Sequence, residues 1–373
     1  MREYTKDELL VLAKRYNNAK RSYLLVDPIQ AKHLAVSPTK ALEMMCELGD
    51  RLHEKYPDAR LVIGFAETAT AIAAAAATRL PDCCYIHTTR ELMPEVSEDK
   101  WLYFSEEHSH AVEQKICIEK LPQYAAQTDT IILLDDEIST GKTLINIVER
   151  LRTIPEVAGK RIVAASVINR CSEENMARLA AAGIECECIL KLPEEDYTAA
   201  VEGFSVTGAE SVSEGSFTAD GYITINGSEP RIGVSADDYY AECRARSLEV
   251  IKDLDEKLSK CGKILVLGTE ECMYPSLVLG QTLEQTGVYK EVLCHSTTRS
   301  PIGICGAEGY PITEGYKLRS FYAEDRETFF YNLGRYDAAV VVTDGKRLSA
   351  LADIAAALKK YGEPKIYLVE VQH

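Results

Sequence analysis

Short continuous apolar runs alternate along the chain with segments whose apolar positions recur at helical spacing. Residues 22–27 (SYLLVD), 60–65 (RLVIGF), 83–87 (CCYIH), 130–134 (TIILL) and 161–168 read as strands. Residues 39–55 place Leu42, Met45, Cys46, Leu48 and Leu52 near helical spacing. An alanine-rich helix runs to about Leu80, and another helix covers about 143–153. Residues 90–120 are polar and show little periodicity. After a predicted helix at 236–258, a second alternating series begins, with strands at 263–267, 291–295, 338–342 and 365–371 and helices near 276–285 and 347–361. Continuous apolar strands that alternate with helices predict parallel sheets covered on both faces.

Between these series, residues 194–230 are rich in Gly, Ser, Thr and acids and alternate briefly at 221–226 (GYITIN). This predicts a small hairpin region or a linker. No fixed short repeat period is visible, which excludes a solenoid. The expected fold class is α/β in two domains, each a mainly parallel sheet flanked by helices: residues 1–205 and 236–373, joined by 206–235. A chain of 373 residues agrees with that division at about 150 residues per domain.

Charge narrows the partners. The chain has 42 Lys+Arg against 58 Asp+Glu, a formal net charge of −16. Such a chain opposes nonspecific binding to nucleic acid or anionic lipid with its own field. Its longest apolar run, residues 71–77, falls far short of the roughly 18 residues a spanning helix needs. The start, MREYTKDELL, lacks an apolar core behind its basic residue, so a cytoplasmic protein is expected. Twelve scattered cysteines without a CxxC pair suit core thiols in a reducing compartment better than zinc or a disulfide framework.

The most informative segment is 131–143, IILLDDEISTGKT. Apolar strand residues lead into two acids, then a small-residue turn that opens a helix. Such a turn lets backbone N–H groups and the helix dipole hold a phosphate without net basic charge. Asp135 and Asp136 suit vicinal sugar hydroxyls or a hydrated magnesium ion. The ending Gly141-Lys142-Thr143 matches a P-loop, but the first glycine of that motif would fall at Asp136, and two carboxylates there would repel a triphosphate. An ATP-using enzyme is therefore the weaker reading. A plain strand–turn–helix corner with a capped helix remains the simplest alternative.

Residues 131–143 resemble the phosphoribosyl-pyrophosphate (PRPP) signature of type I, orotate-phosphoribosyltransferase-like enzymes. The resemblance implies that Asp135 and Asp136 hold ribose hydroxyls. It assigns the 5′-phosphate to Ser139, Thr140, Gly141, Lys142 and Thr143. Glu137 departs from the family pattern, which has a small or apolar residue there. The loop Ala66, Glu67, Thr68, Ala69 and Thr70 occupies the place of the family's pyrophosphate loop; by itself it also reads as a helix cap on Thr68 or Thr70. Residues 86–91 (IHTTRE) match the strand that ends in a basic residue near pyrophosphate, here Arg90, which also reads as a surface arginine. The polar stretch of about 90–120 matches a mobile catalytic hood. It holds His108 and His110, suited to pyrophosphate, to proton transfer or, less well, to a metal, and equally to a solvated loop.

Residues 296–302 (STTRSPI) are similar to the TRSP domain, which follows such domains in tellurite-resistance-associated gene clusters; residues 268–275 (GTEECMYP) and 330–333 (FYNL) fit the same family. The expected fold is thus a type I phosphoribosyltransferase domain followed by a Rossmann-like TRSP domain. Residues at strand ends in parallel sheets face the ligand crevice. There Thr297, Thr298, Arg299 and Ser300, with Glu270 and Asp344, form a candidate second site for phosphate or carboxylate. Pairing of Arg299 with Glu270 or Glu271 is the alternative. The resemblances imply a homodimeric enzyme using Mg2+, PRPP and a nucleobase-like acceptor, with a non-catalytic PRPP-binding regulator as the second reading.

Overall fold

A computed structural model of the chain describes residues 1–18, 22–104, 114–212 and 215–373. It divides into two compact units. The first contains Met1–Tyr4, Leu42–Glu195 and Ser228–Glu242; the second contains Thr5–Ala41, Asp196–Gly227 and Cys243–His373. No helix among the described residues is long and apolar enough to cross a membrane.

The first unit is built on a six-stranded sheet in the order Val234–Ser235, Cys84–His87, Leu61–Gly64, Thr130–Ile138, Arg161–Asn169, Ile184–Lys191. All neighbours are parallel except the short Val234–Ser235 strand, which runs antiparallel to Cys84–His87. From Leu61–Gly64 the chain crosses through the helix Thr70–Ala77 to Cys84–His87 on one side. From Thr130–Ile138 it crosses through Lys142–Leu151 to Arg161–Asn169 on the other. These two adjacent strands therefore diverge in their connections, which opens a crevice beyond their carboxyl ends. The helix Lys142–Leu151 turns Leu144, Ile147, Val148 and Leu151 onto the core, where they meet Ile131, Leu133, Ile162 and Ala164.

In place of an aperiodic stretch at 90–120, the structure has a two-stranded antiparallel ribbon, Trp101–Phe104 with Gln114–Cys117. Four-residue strands are too short for a period to stand out among polar neighbours. Ile184–Lys191, a fifth parallel strand, is also absent from the sequence reading. Its alternation of acids with cysteines (IECECILK) hides a half-buried edge.

The second unit carries a five-stranded, all-parallel sheet in the order Gly221–Asn226, Lys365–Gln372, Ala338–Thr343, Lys263–Gly268, Glu291–Ser296. A three-stranded sheet (Glu210–Ser211, Gly315–Arg319, Glu327–Tyr331) and an antiparallel pair (Val11–Lys14 with Tyr23–Val26) accompany it. The helix Leu351–Lys359 buries Leu351, Ile354, Ala355 and Leu358 against Leu265, Leu267, Ala339 and Val341.

Several boundaries differ from those expected: 196–205, expected in the first domain, belong to the second unit, and 236–242, expected in the second domain, belong to the first. Residues 5–41, expected with the first domain, belong to the second unit, where Ala13, Leu24 and Val26 share a core with Ile302, Tyr310 and Tyr331. Gly221–Asn226, expected in a hairpin or linker, is a parallel edge strand paired with Lys365–Gln372 over its whole length. Alternation reveals a half-exposed strand but not its partner, so a local hairpin and a distant sheet edge look alike in sequence.

Candidate active site

The PRPP-like segment folds as strand, turn and helix. Asp135, Asp136 and Glu137 lie at the carboxyl end of Thr130–Ile138, beyond the point where Gly64 pairs with Leu134. Ser139 and Thr140 form the turn, and Gly141 begins the helix at Lys142 with φ +72°, a left-handed conformation that glycine adopts without strain. A Cβ at Gly141 would also stand 2.8 Å from Leu179 Cδ1, so both the backbone and the helix behind it require glycine here. Lys142 N–H reaches back to Thr140 Oγ1 at 3.4 Å, and the Lys142 side chain is exposed. Thr143 is half-buried in the first turn.

The loop 66–70 is brought to these acids. Phe65 N–H donates to the carbonyl of Leu134 at 3.0 Å, and Thr68 Oγ1 donates to Asp136 Oδ1 at 2.9 Å. Neither Thr68 nor Thr70 caps the following helix. Ala69 holds that position without a side-chain bond, and Thr70 Oγ1 donates to the carbonyl of Glu67 at 3.2 Å. The loop backbone is clamped twice at Ala66: its N–H donates to Thr88 Oγ1 at 2.9 Å, and its carbonyl accepts from Gln114 Nε2 at 3.1 Å. Thr88 and Gln114 were not singled out in the sequence, because a threonine at a strand end and a glutamine in a polar stretch carry no distinctive pattern.

Arg90 follows directly on a bridge between Thr89 and Lys115, whose backbone groups exchange bonds of 2.8 and 3.0 Å. The ribbon thereby abuts the strand end that carries Arg90. His108 and His110 lie outside the described residues.

Three carboxylates in succession must be balanced. Asp135 Oδ1 accepts from the Asp136 N–H at 2.9 Å. Glu137 is paired with Arg170 Nε, both side chains largely buried. Its departure from the family pattern thus has a local partner, on a strand neighbour that the sequence did not indicate. Burial pushes the Asp136 carboxyl above the usual carboxylate range, opposed by its bonds with Asp135 and Thr68 and reinforced by the Glu137 charge. Among the described residues no third His, Cys or acidic group of this unit joins Asp135 and Asp136 at ligating distance. Two carboxylates at a strand end suit a magnesium ion that keeps waters and substrate phosphate as its other ligands.

In the second unit, the predicted residues Glu270, Thr297, Thr298, Arg299 and Asp344 occupy strand ends, and most are buried. Arg299 donates from Nε to Glu270 Oε2 and from Nη2 to Glu271 Oε1, each at 3.1 Å, so the pairing set out as an alternative is present. Arg326 Nη1 converges on the same Glu270 Oε2 at 2.9 Å, and Ser320 Oγ donates to Oε1. Asp344 accepts from Tyr322 OH on one oxygen and lies 3.3 Å from His373 Nε2 on the other. Ser300 N–H donates to Thr298 Oγ1 at 3.2 Å. Tyr322, Ser320 and Arg326 come from the segment around the Gly315–Arg319 and Glu327–Tyr331 hairpin, which no motif marks.

Comparison with known proteins agrees with the two-part reading. A family model described as phosphoribosyl transferase matches residues 9–193, and one described as the TRSP domain C-terminal to it matches residues 229–358. No curated protein matches the chain. Among solved structures, an adenine phosphoribosyltransferase from Rhodothermus marinus is 14% identical, with a TM-score of 0.36, covering 50% of this chain and 96% of its own. The enzyme from Giardia lamblia, complexed with 9-deazaadenine, is 14% identical with a TM-score of 0.35, over 49% of this chain and 94% of its own. That from Leishmania tarentolae is 13% identical with a TM-score of 0.34, over 52% and 88%. The chain belongs to the family in which a phosphoribosyl transferase domain is followed by a C-terminal TRSP domain.

Proposed function

We propose that the first unit transfers a phosphoribosyl group between pyrophosphate and a nucleobase-like nitrogen, using PRPP with Mg2+ or running the reverse reaction. The observation that carries this reading is the bond from Thr68 to Asp136. It joins the loop suited to pyrophosphate to the acid suited to ribose, so one ligand carrying both groups fits across them.

In the forward direction the C1–O bond to pyrophosphate breaks and the oxygen leaves with the electron pair. A bond from the acceptor nitrogen to C1 replaces it, and the acceptor N–H proton is released. The transition state has oxocarbenium character, as in glycoside cleavage. Asp135 and Asp136 accept the ribose hydroxyls and fix the sugar, while the turn at Ser139, Thr140 and Gly141 and the helix start at Lys142 and Thr143 hold the 5′-phosphate through backbone N–H groups. The clamped loop at 66–70 presents its backbone to the departing pyrophosphate, and Arg90 lies at the adjoining strand end to meet its charge. Asp135 and Asp136 would serve as oxygen donors to a Mg2+ ion, which would supply charge neutralisation of the pyrophosphate. The ribbon Trp101–Phe104 with Gln114–Cys117, bridged to the strand end that carries Arg90, excludes water from the activated sugar.

The test is PRPP binding by calorimetry with MgCl2, followed by pyrophosphate release over a panel of bases. Binding with base-dependent release supports the transferase. Binding without release from any base favours a regulator, and absence of PRPP binding overturns both readings.

A further inference from the structure

The second unit repeats the connections of the first. Lys263–Gly268 crosses through the helix Tyr274–Gln285 to Glu291–Ser296 on one side, while Ala338–Thr343 crosses through Leu351–Lys359 to Lys365–Gln372 on the other. An antiparallel hairpin, Gly315–Arg319 with Glu327–Tyr331, sits between the second and third strands of this set. Trp101–Phe104 with Gln114–Cys117 has the same place in the first unit.

The repetition extends to individual bonds. Thr88-Thr89-Arg90 in the first unit corresponds to Thr297-Thr298-Arg299 in the second. Thr88 N–H donates to the Gly64 carbonyl at 2.9 Å, and Thr297 N–H donates to the Gly268 carbonyl at 3.0 Å. Thr88 Oγ1 accepts from Ala66 N–H, two residues past Gly64, at 2.9 Å; Thr297 Oγ1 accepts from Glu270 N–H, two residues past Gly268, at 3.0 Å. Thr89 bridges Lys115 of its hairpin, as Thr298 bridges Phe329 of the other. Both glycines face the start of the next helix, where a Cβ would meet Ala73 Cβ at 2.5 Å or Ser276 Oγ at 2.6 Å. Shared topology alone is common among α/β folds, but the same side-chain bonds at the same strand ends are not a requirement of that topology.

This correspondence locates a site. Gly64 pairs with Leu134 and Gly268 with Val342, so Asp344 stands where Asp136 stands, two residues beyond the paired position. Asp136 accepts from Thr68; Asp344 accepts from Tyr322. The loops between differ in charge. Ala66 is replaced by Glu270, whose carboxylate, together with Glu271, already takes Arg299, the counterpart of Arg90. A pyrophosphate would meet two carboxylates there, and the two guanidiniums present, Arg299 and Arg326, are already engaged by them. Beyond Asp344, Lys346 and Arg347 stand in the place of the phosphate-binding turn. We propose that the second unit is a diverged copy of the same scaffold that binds a ribosyl monophosphate, and not PRPP, at Asp344 and Tyr322. The ligand class rests on reading Asp136 as a ribose-hydroxyl acceptor.

The test uses the full chain carrying Asp135→Asn and Asp136→Asn, titrated with ribose 5-phosphate by calorimetry. One binding site per chain is expected, unaffected by equimolar pyrophosphate. Adding Asp344→Asn should weaken it at least tenfold, and Tyr322→Phe several-fold, with melting curves that stay cooperative. No binding in the first variant, displacement by pyrophosphate, equal affinity for inorganic phosphate, or indifference to both second-unit substitutions would each overturn the proposal. If the Asp135/Asp136 variant keeps its PRPP affinity, the reading of the first unit fails instead, and this outcome is separate from the effect of Asp344→Asn on ribose 5-phosphate.

Discussion

Thr68 Oγ1 lies 2.9 Å from Asp136 Oδ1, a bond across sixty-eight positions of sequence that ties two loops at the diverging strand ends of the first unit. The hydroxyl orients a carboxylate that burial otherwise disfavours in its charged form. Thr68→Val keeps the shape and removes the donor. PRPP affinity should fall about five- to tenfold, the equivalent of a hydrogen bond worth about 1 kcal/mol, as read by calorimetry. A retained affinity would remove Thr68 from the binding site.

Asp136→Asn should stabilise the unliganded protein and disable it together. The folded-state pKa of Asp136 is raised, so between the ordinary value of 3.8 and the raised one the folded chain binds more protons than the unfolded chain. Stability from this group is therefore lost as pH rises through that interval. At pH 7 the variant should melt above the wild type, the difference vanishing below about pH 3.8, while PRPP affinity drops on the order of 100-fold. Equal melting temperatures at pH 7 would contradict the burial argument.

Glu137 and Arg170 should behave as a unit. Arg170→Met leaves a largely buried carboxylate unpaired and should cost about 3 kcal/mol in urea unfolding. Glu137→Met in the same chain should recover most of that loss. Additive costs in the double-mutant cycle would show that the pair is not coupled.

His295 gives the second unit a different pH response. Its ring is buried, with Ser296 N–H donating to Nδ1 at 2.7 Å and Nε2 facing the Tyr331 carbonyl at 2.9 Å. Burial lowers its pKa from 6.5 to about 4. Here the unfolded chain binds the extra proton, so stability is present above pH 6.5 and is lost as pH falls toward 4, by roughly 3 kcal/mol. His295→Gln should flatten the slope of stability between those values, measured by urea unfolding across pH; an unchanged slope would assign the acid response to other groups.

Much of this was open to direct reading. The 236–258 helix has the expected bounds, and each apolar strand of the second series lies within one residue of its expected limits at both ends, because their buried interiors are mostly apolar and stand out against polar flanks. The strand–turn–helix form of 131–143 was legible because one short segment holds strand, acids and turn together. Thr88, Gln114 and Arg170 were not, since each acts on a residue of another strand or loop. The Thr-Thr-Arg repeat is written in the sequence at 88–90 and 297–299, yet it gains meaning only when both copies make the same bonds.

By itself, then, the order of residues determined the α/β class, the alternating elements and the acid-turn segment, all of which follow from local periodicity and backbone chemistry. Tertiary structure alone decided that 5–41 belongs with the C-terminal unit, that 221–226 closes a sheet edge, and that Thr68 meets Asp136. Those outcomes depend on which apolar faces and which unpaired strand edges find each other, and a pattern read along the chain carries no record of its partner.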